Sequence, residues 1–212
     1  MWMKRNVVFV FLSVLLGMPC FLKAQDTLTV LQYNLLYYGN YQSGYADCFE
    51  TNNNTQQKDE YIRTILDYVK PDIFTVCEFG STATLHSDFL RHNLNIGNTH
   101  YWQTDNIINY AGSNIINHIF FDSRKLGMKK HVALRTSPRD TDVYELYLKT
   151  PGLAAGDTIN LICIVAHLKA GNTTSDRKKR LNQIQTTINI HNPFNQSAQA
   201  KIGRAVQQEC RD

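Results

Sequence analysis

The stretch Lys70–Glu78, with the sequence KPDIFTVCE, places a proline, a β-rich run and a terminal carboxylate in direct succession. Pro71 cannot continue an α-helix, because it lacks a backbone N–H and its ring clashes with the preceding turn. Before it, Lys58–Val69 puts apolar side chains on one helical face; after it, Ile73–Glu78 has the composition of a β-strand. The stretch therefore predicts a helix that stops at Pro71 and a strand that follows at once.

Further segments of the chain carry strand and helix patterns. Runs of β-branched and aromatic residues predict strands at Thr27–Asn34, Ile115–Phe121, Val143–Leu148 and Thr158–His167. A second helix is predicted over Thr84–Asn93, and a third from near Ser175, where a serine can cap the first turn. The basic run Arg177–Arg180 lies on the solvent side of this third helix, and its apolar positions are Leu181, Ile184 and Ile188. This order of elements predicts an α/β architecture.

The sequence patterns of three segments predict whether each segment is buried or exposed to solvent. Ile159–Val165 is apolar on both faces, which predicts a central strand covered from both sides. Asn40–Gln57 is polar and contains Gly44, which predicts a long surface loop. The basic run on the third helix is interpreted as a solvated face rather than as a groove for polyanions.

The net charge of the chain comes from its two ends. The formal charge is +4, but the segment from Gln25 to Ala200 carries 16 basic and 16 acidic side chains. A neutral body gives no long-range attraction for polyanions, so any recognition of phosphate has to be local. With 43% hydrophobic and 19% charged residues, the composition excludes a disordered, fibrous or multi-span membrane protein and indicates one soluble domain.

The first 24 residues have the three parts of a secretory signal. Lys4 and Arg5 form a cationic start, Val7–Leu16 is an apolar run, and a small residue, Ala24, ends the segment. A membrane helix needs about 20 apolar residues, so a retained membrane span is the less favoured alternative. We therefore expect residues 1–24 to be removed and the protein to be exported to the periplasm, the cell surface or the medium.

The last residues, 201–212, look foreign to the rest of the chain. Ile202–Asp212 reads as the translation of a common sequencing adapter, with Lys201 before it. We expect that the reading frame runs from a gene fragment into the adapter, so that 25–200 is the N-terminal part of a larger domain. The alternative is a genuine amphipathic tail. Sequencing of the locus decides between them, because a native gene should continue past Ala200 with different residues.

Three cysteines remain between these two ends, and they form no disulfide framework. Cys48, Cys77 and Cys163 are odd in number and irregularly spaced. Cys77 and Cys163 lie in apolar runs, where a thiol acts as a small core residue. No thiol-based metal site is predicted.

Three predicted strands end in polar side chains that an apolar core would not accommodate: Asn34, Glu78 and His167. Ligands gather at the carboxyl ends of strands in α/β sheets, so the three side chains could share one site. A carboxylate and an amide oxygen suit Mg²⁺ or Ca²⁺, and an imidazole can transfer a proton. The alternatives are that Asn34 caps a turn, that Glu78 is a solvated strand end, and that His167 is a half-buried imidazole with satisfied hydrogen bonds.

Four segments around these residues resemble, in order and context, the endonuclease/exonuclease/phosphatase superfamily. They are LQYN at 31–34, KPDI at 70–73 leading to Glu78, NHIFF at 117–121 and AHLKAG at 166–171. That family includes pancreatic-type deoxyribonucleases, abasic-site endonucleases, bacterial sphingomyelinases and inositol polyphosphate phosphatases. The resemblance spans residues 27–190. It implies a four-layer sandwich of two face-to-face mixed β-sheets flanked by helices, incomplete here at the C-terminus.

The resemblance also implies a role for each candidate residue. Glu78 would be a direct ligand of Mg²⁺, or of Ca²⁺ or Mn²⁺, and Asn34 would lie beside the metal-bound phosphate. His167 corresponds to a histidine that contacts the scissile phosphate or protonates the leaving oxygen. Arg139 lies where deoxyribonuclease relatives have a phosphate-contacting arginine; its alternative is an exposed loop arginine. The implied activity is metal-dependent hydrolysis of phosphodiester bonds, with nucleic acid as the first-choice substrate.

The chain departs from the family pattern toward its C-terminus. Family members continue with a Gly-Asp-x-Asn motif and end with an Asp-His pair, and neither motif occurs in these 212 residues. These motifs activate the attacking water, and loss of a general base alone costs about 10² to 10⁴ in rate. We therefore expect the 212-residue chain to be inactive and the intact gene product to be an exported Mg²⁺-dependent phosphoesterase.

The junction at 23–25 resembles signal-cleavage sites of the Bacteroidota, which indicates a bacterial source.

Two other functions compete with this one. A phospholipid or sphingomyelin phosphodiesterase would need an exposed aromatic or apolar segment at the membrane. Such a segment could be formed near the site by Tyr37, Tyr38, Tyr41 and Tyr45. These rings could instead stack on bases or pack on their own domain. A non-catalytic exported binding module would keep the sandwich without its catalytic machinery. No protein partner is inferred.

Overall fold

The computed structural model describes residues 27–40, 54–149 and 159–189. Within them the strands are β1 (Val30–Tyr38), β2 (Ile73–Gly80), β3 (Trp102–Thr104), β4 (Ile115–Asp122), β5 (Leu126–Leu134), β6 (Thr141–Leu148) and β7 (Asn160–Val165). The helices are α1 (Thr55–Val69), α2 (Ala83–Phe89) and α3 (Thr174–Asn189), and α2 continues into a π-helical turn at Leu90–Leu94. The predicted α/β class is confirmed. The leader at 1–24, the tail at 201–212, Cys48, Tyr41 and Tyr45 lie outside the described residues.

Helix α1 ends where its sequence predicts and begins three residues earlier. Its N-cap is Asn54, whose Oδ1 accepts the backbone N–H of Gln57 at 3.2 Å. At the other end Lys70 takes a left-handed φ of 50° and Pro71 prevents a further turn. The first residues of α1 therefore belong to the segment 40–57 that the sequence predicts as a loop. Residues 41–53 of that segment are not described.

The first sheet is mixed and has the strand order β1-β2-β4-β3. Strands β1 and β2 run parallel, and the other neighbours run antiparallel. Every residue of β2 is buried, as expected for a central strand. One face of the sheet packs against α1, α2 and the π-helical turn through an aromatic cluster that includes Tyr38, Phe74, Phe79, Phe89 and Phe120. Helices therefore cover this face and leave the other face for a second sheet.

The second sheet has the order β5-β6-β7 and faces the first. A second apolar cluster lies between the two sheets and consists of Ile73, Ile119, Phe121, Leu126, Tyr144, Leu146 and Val165. The expected sandwich of two facing sheets with helices is thus confirmed. One detail differs, because the second sheet is antiparallel rather than mixed in the described residues. Consecutive strands pair side by side there, which favours antiparallel ladders.

The strand predictions need two corrections. The patterns gave no prediction of β3 or β5: β3 has three residues, and β5 contains Gly127 and a pair of lysines in its centre. Strand β7 was expected to be central, but it forms an edge of the second sheet in the described part of the chain. Its Ile164 is 45% exposed. The apolar pattern predicted that both faces of β7 would be covered by other parts of the protein, but the described residues do not cover them.

Helix α3 also differs from its prediction. Thr173, not Ser175, caps the first turn, because its Oγ1 accepts the N–H of Asp176 at 3.1 Å. The buried side chain of α3 is Gln183. The apolar positions Leu181, Ile184 and Ile188 are exposed. Helix α3 therefore turns a polar side chain, not its apolar stripe, toward the rest of the described structure.

The cysteines have the structural role that their sequence context predicts. Cys77 is buried in β2 and Cys163 is half-buried in β7, and both thiols are free. Burial raises the pKa of each thiol to about 12, so neither is a ready nucleophile. Among the described helices, none has the length and apolar composition that a membrane span requires.

Candidate active site

Glu78 lies at an irregularity in the pairing of β2 with its neighbours. Cys77 pairs with Asn34 of β1, whereas the next pair along that ladder joins Phe79 to Tyr38. Glu78 has a left-handed φ of 56°, which is uncommon for a residue with a side chain and is concentrated at functional sites. Its side chain is buried, and Oε2 has no hydrogen-bond partner among the described residues. The interpretation of Glu78 as a solvated strand end is therefore wrong.

His167 follows β7 of the second sheet and meets Glu78 of the first. Its Nε2 lies 3.4 Å from Oε1 of Glu78, and its Nδ1 is buried without a hydrogen-bond partner among the described residues. Burial and, to a smaller extent, the positive charge of Arg139 together lower the pKa of His167 to about 4. The ring is thus neutral at pH 7 and has an unpaired nitrogen. It is not the imidazole with satisfied hydrogen bonds of the alternative interpretation.

Arg139 is buried and contacts the segment that carries His167. Its Nε donates to the carbonyl oxygen of His167 at 3.4 Å, and its Nη2 donates to that of Leu168 at 3.5 Å. The residue is only 9% exposed, so the interpretation as an exposed loop arginine is wrong. Because the guanidinium remains charged at any pH near neutrality, it supplies a fixed positive charge beside the imidazole.

The loop that carries Arg139 is held by the buried carboxylate of Asp140. Its Oδ2 accepts the backbone N–H of Ala111 at 3.0 Å, and its Oδ1 accepts that of Thr136 at 3.4 Å. The hydroxyl of Thr136 in turn donates to the carbonyl oxygen of Arg139. The backbone around Arg139 is therefore fixed on both sides, which limits the positions that the guanidinium can reach.

Asn34 is exposed and takes part in a turn. Its Oδ1 accepts the N–H of Leu36 at 2.8 Å, and Leu36 and Tyr37 have left-handed φ angles of 47° and 56°. This is the turn-capping contact that the sequence left open as an alternative. Asn34 pairs with Cys77, the residue before Glu78, so it is close to the carboxylate along the sheet. Its place beside a metal or a phosphate stays a prediction.

A buried amide that sequence analysis did not assign to the site joins the two sheets beside it. Asn117 of β4 donates from Nδ2 to the carbonyl oxygens of Asp140 at 2.8 Å and Val165 at 3.3 Å. The same nitrogen lies 3.4 Å from Oδ2 of Asp142. Its position at the start of the NHIFF segment, before the apolar residues 119–121, was the one signal in the sequence. Asn117 therefore links β4 to Asp140, the residue after Arg139, and to Val165 at the end of the strand that His167 follows.

His131 of β5 lies between two carboxylates in the same region. Its Nε2 is 3.0 Å from Oδ1 of Asp142, and its Nδ1 is 3.1 Å from Oδ2 of Asp105. The ring stacks on Tyr144 with the centroids 4.2 Å apart. Burial raises the pKa of Asp142, although the hydrogen bond to His131 opposes the increase. These residues come from separate segments, so no local motif could have indicated them.

The residues around Glu78 fit one divalent cation that keeps most of its water. Oε2 of Glu78 is a buried, unpartnered anionic oxygen, and a hard cation would satisfy it. Mg²⁺ commonly binds through one or two carboxylates and retains several water ligands. A full protein cage is not present in the described part of the chain, where no group of three or more His, Cys, Asp or Glu side chains could hold a metal.

The tyrosines near β1 are only partly available for contact with a substrate. Tyr38 is buried in the aromatic cluster, and its hydroxyl donates to Asp59 at 2.5 Å. For Tyr38 the interpretation that the ring packs on its own domain is therefore right. Tyr37, three residues after Asn34, is half-buried.

Comparisons with known proteins identify solved structures of similar fold but no relative by sequence. No protein-family model and no curated protein matches the chain. The human nocturnin catalytic domain, solved with a bound sulfate anion, superposes with a TM-score of 0.54 at 14% identity over 82% of this chain and 61% of that one. An endonuclease/exonuclease/phosphatase family protein from Bacteroides thetaiotaomicron gives 0.51 at 14% identity over 84% and 62%. Truncated Caenorhabditis elegans TDP2 gives 0.50 at 17% identity over 82% and 59%.

The two facing sheets and their helices are what these structures share with the chain. At these identities the likeness concerns the fold and not the activity. The chain spans about three fifths of the length of each of these three solved structures. Within that span, the described residues share the fold of these three solved structures, one of which is an endonuclease/exonuclease/phosphatase family protein.

Proposed function

We propose that the protein hydrolyses phosphoester bonds with the help of a divalent cation, with Mg²⁺ as the first choice. The observation that carries this proposal is the buried carboxylate of Glu78, whose unpartnered Oε2 belongs to the same side chain that meets the neutral ring of His167. Burying an anionic oxygen without a partner is costly unless a cation or a proton neutralises it. A bound cation therefore explains why a glutamate is placed in a buried, left-handed position of a central strand.

Each candidate residue has a task in such a reaction. The cation, when bound, would withdraw charge from a phosphate oxygen and stabilise the charge of the transition state. Glu78 would hold it, and Asn34 on the neighbouring strand would orient the phosphate. Neutral His167 would donate a hydrogen bond to a phosphate oxygen or to the leaving oxygen, whereas full proton transfer would require its imidazolium form. Arg139 would add positive charge beside the developing negative charge.

Nucleic acid is the first-choice substrate. The structure of nocturnin contains sulfate, an anion with the tetrahedral shape and charge of a phosphate group. In the present chain the residues from 25 to 200 have no net charge, so long-range steering of a polyanion is weak. Recognition of the backbone phosphate would depend on local contacts such as the one that Arg139 offers.

A lipid phosphodiesterase is the second candidate. Leu36 is 58% exposed and Tyr33 is 39% exposed, and both belong to β1, the strand that carries Asn34. Exposed apolar and aromatic side chains next to a phosphate site suit a membrane surface, where one end of the side chain is apolar and the other is wet. This candidate shares the chemistry proposed above and differs in the surface that presents the substrate.

We also propose that the protein is an exported bacterial enzyme and that its gene continues past Ala200. The signal pattern in residues 1–24 supports export, and the adapter-like tail supports a truncated reading frame. The missing Gly-Asp-x-Asn and Asp-His motifs would then lie in the part of the gene that follows. On this basis the 212-residue chain alone is inactive, because it cannot activate the attacking water.

The test compares the intact gene product with the 212-residue chain, each with Mg²⁺ and with EDTA. The substrates are bis-(p-nitrophenyl) phosphate, supercoiled plasmid DNA and sphingomyelin vesicles. We expect Mg²⁺-dependent turnover of the first two by the intact product only, and a loss of about 100-fold or more in Glu78→Gln. Glu60→Gln, an exposed glutamate on α1, is the matched control and should retain full activity.

Each other outcome separates the candidates. Faster turnover of vesicles than of DNA would favour the lipid phosphodiesterase. An intact product without turnover of any substrate would contradict the enzymatic proposal and favour an exported binding module. Metal-dependent turnover by the 212-residue chain would overturn the expectation that it is inactive.

A further inference from the structure

The four-residue turn that follows β7 is held almost entirely by side chains. It runs from His167 to Ala170, before Gly171, and lies between strand β7 and helix α3. The residues of this turn make no regular secondary structure, so their backbone groups need other partners. The side chains that bind these groups determine where the turn, and the ring of His167 on it, can lie.

Helix α3 binds the turn from one side through two of its residues. Gln183 accepts the backbone N–H of Lys169 through Oε1 at 2.9 Å. Arg180 donates from one Nη1 atom to the carbonyl oxygens of Lys169 at 2.6 Å and Gly171 at 2.7 Å. Residues three apart project from the same face of a helix, so the two side chains reach the turn together. Gln183 is 1% exposed, although most neighbouring side chains of α3 are not buried.

Arg139 binds the same turn from the other side. It donates to the carbonyl oxygens of His167 and Leu168, the two residues that precede Lys169. Buried or half-buried side chains therefore bind four backbone groups of this turn. These groups are the carbonyl oxygens of His167, Leu168 and Lys169 and the N–H of Lys169. A turn with this many side-chain bonds has few positions open to it.

We propose that Arg180 and Gln183 are positioning residues that set the place of His167 against Glu78. This inference rests on the proposed function, because it assigns importance to the 3.4 Å approach of Nε2 of His167 to Oε1 of Glu78. Neither residue touches that pair of atoms, so both act through the backbone of Lys169. A displacement of about 1 Å at a reacting group can cost about 10²-fold in rate.

A matched control is available on the same helix. Arg177 is also an arginine of α3, and it donates to the carbonyl oxygen of Asn172 at 3.0 Å, outside the turn that carries His167. Arg177→Ala therefore removes the same kind of side chain and the same kind of bond without releasing Lys169. Arg180→Lys is the conservative variant, because a single nitrogen of Arg180 makes both of its bonds and an ammonium can replace it.

The test uses the full-length protein and the variants Arg180→Ala, Gln183→Ala, Arg180→Lys and Arg177→Ala. Two readouts are recorded at pH 7: kcat and KM with bis-(p-nitrophenyl) phosphate, and the ¹H–¹³C signals of the His167 ring without metal, assigned with His167→Gln. The second readout needs no activity. Thermal unfolding of every variant is followed in parallel.

We expect Arg180→Ala and Gln183→Ala to lower kcat by about 10-fold to 100-fold with KM within about twofold. They should shift or broaden the His167 ring signals, whereas Arg177→Ala should change neither and Arg180→Lys should restore most of both. Ring signals unchanged in Arg180→Ala and Gln183→Ala would overturn the proposal, even if Tm or kcat falls. Ring signals that respond in a full-length protein without phosphodiesterase activity would support positioning and refute the proposed function instead.

Discussion

Nε2 of His167 lies 3.4 Å from Oε1 of Glu78; Glu78 lies in the first sheet of the sandwich, and His167 follows β7 of the second. Glu78 stands in the central strand β2 at a left-handed position, and His167 begins the turn after β7. The contact exists only because the two sheets pack face to face and bring the ends of these strands together. It makes the buried carboxylate and the neutral imidazole parts of one site.

Replacing Arg139 should raise the pKa of His167. The guanidinium lowers that pKa, so Arg139→Gln should move it up from about 4 toward the unperturbed value of about 6.5. Part of the decrease should remain, because burial is the larger cause. Titration of the His167 ring by NMR measures the change. Arg135→Gln, an exposed arginine of the same loop, is the control, and an equal increase in both variants would contradict the assignment.

Removing the amide of Asn117 should destabilise the sandwich. Asn117→Ala leaves the carbonyl oxygens of Asp140 and Val165 without this donor in a buried place, at a cost of about 1 to 3 kcal/mol in the free energy of unfolding. Urea denaturation followed by circular dichroism measures the loss. Asn114→Ala, an exposed residue just before β4, is the control and should lie within about 0.5 kcal/mol of the parent. Equal stability of both variants would show that the inter-sheet bonds contribute nothing.

His131→Phe should be destabilising through Asp142 rather than through packing. The phenyl ring can keep the stack on Tyr144, but it removes the nitrogen that lies 3.0 Å from Oδ1 of Asp142 and leaves that buried carboxylate only the longer contact with Asn117. Leaving a buried carboxylate oxygen without its hydrogen-bond donor costs about 1 to 3 kcal/mol in the free energy of unfolding. The double variant His131→Phe, Asp142→Asn should regain a large part of the loss, because the charge is then gone. Denaturation of both variants measures their free energies of unfolding. A double variant that is as unstable as His131→Phe alone would show that the loss comes from packing.

Two buried histidines should make the fold sensitive to acid. Burial lowers the pKa of His86 to about 4 and that of His118 well below 6.5. Between pH 6.5 and about 4 the unfolded chain binds protons that the folded chain does not, so stability falls as the pH decreases through this window. At pH 5.5, one unit below the unfolded value, the expected cost is about 1.4 kcal/mol for each histidine.

Denaturation of the parent and of His86→Gln from pH 7.5 to 4.5 measures this effect. A glutamine can still donate to the carbonyl oxygen of Gly80, which His86 contacts at 2.8 Å, so the variant should fold and show a shallower pH dependence. His100→Gln, at an exposed histidine, should follow the parent curve. A parent curve that is flat across this window would refute the prediction.

The sequence by itself determined the elements whose signals are local. A helix that stops at Pro71 and the buried strand after it follow from the missing N–H of proline and from side-chain composition. It also singled out Asn34, Glu78 and His167 as polar ends of predicted strands, whereas Arg139 came only from the resemblance to a family. Strand β3 and helix α3 were read less well, because three residues give no period and because Gln183 is buried by specific bonds rather than by apolarity.

The tertiary structure alone decided which of these side chains meet and in what state. The left-handed backbone at Glu78 lies where the pairing of β2 with both neighbouring strands shifts register, and the neutral form of His167 results from burial beside Arg139. The links through Asn117, His131 and the pair Arg180 and Gln183 join segments that are distant along the chain. Burial and contact across sheets depend on the whole packed chain, so no stretch of residues read alone can specify them.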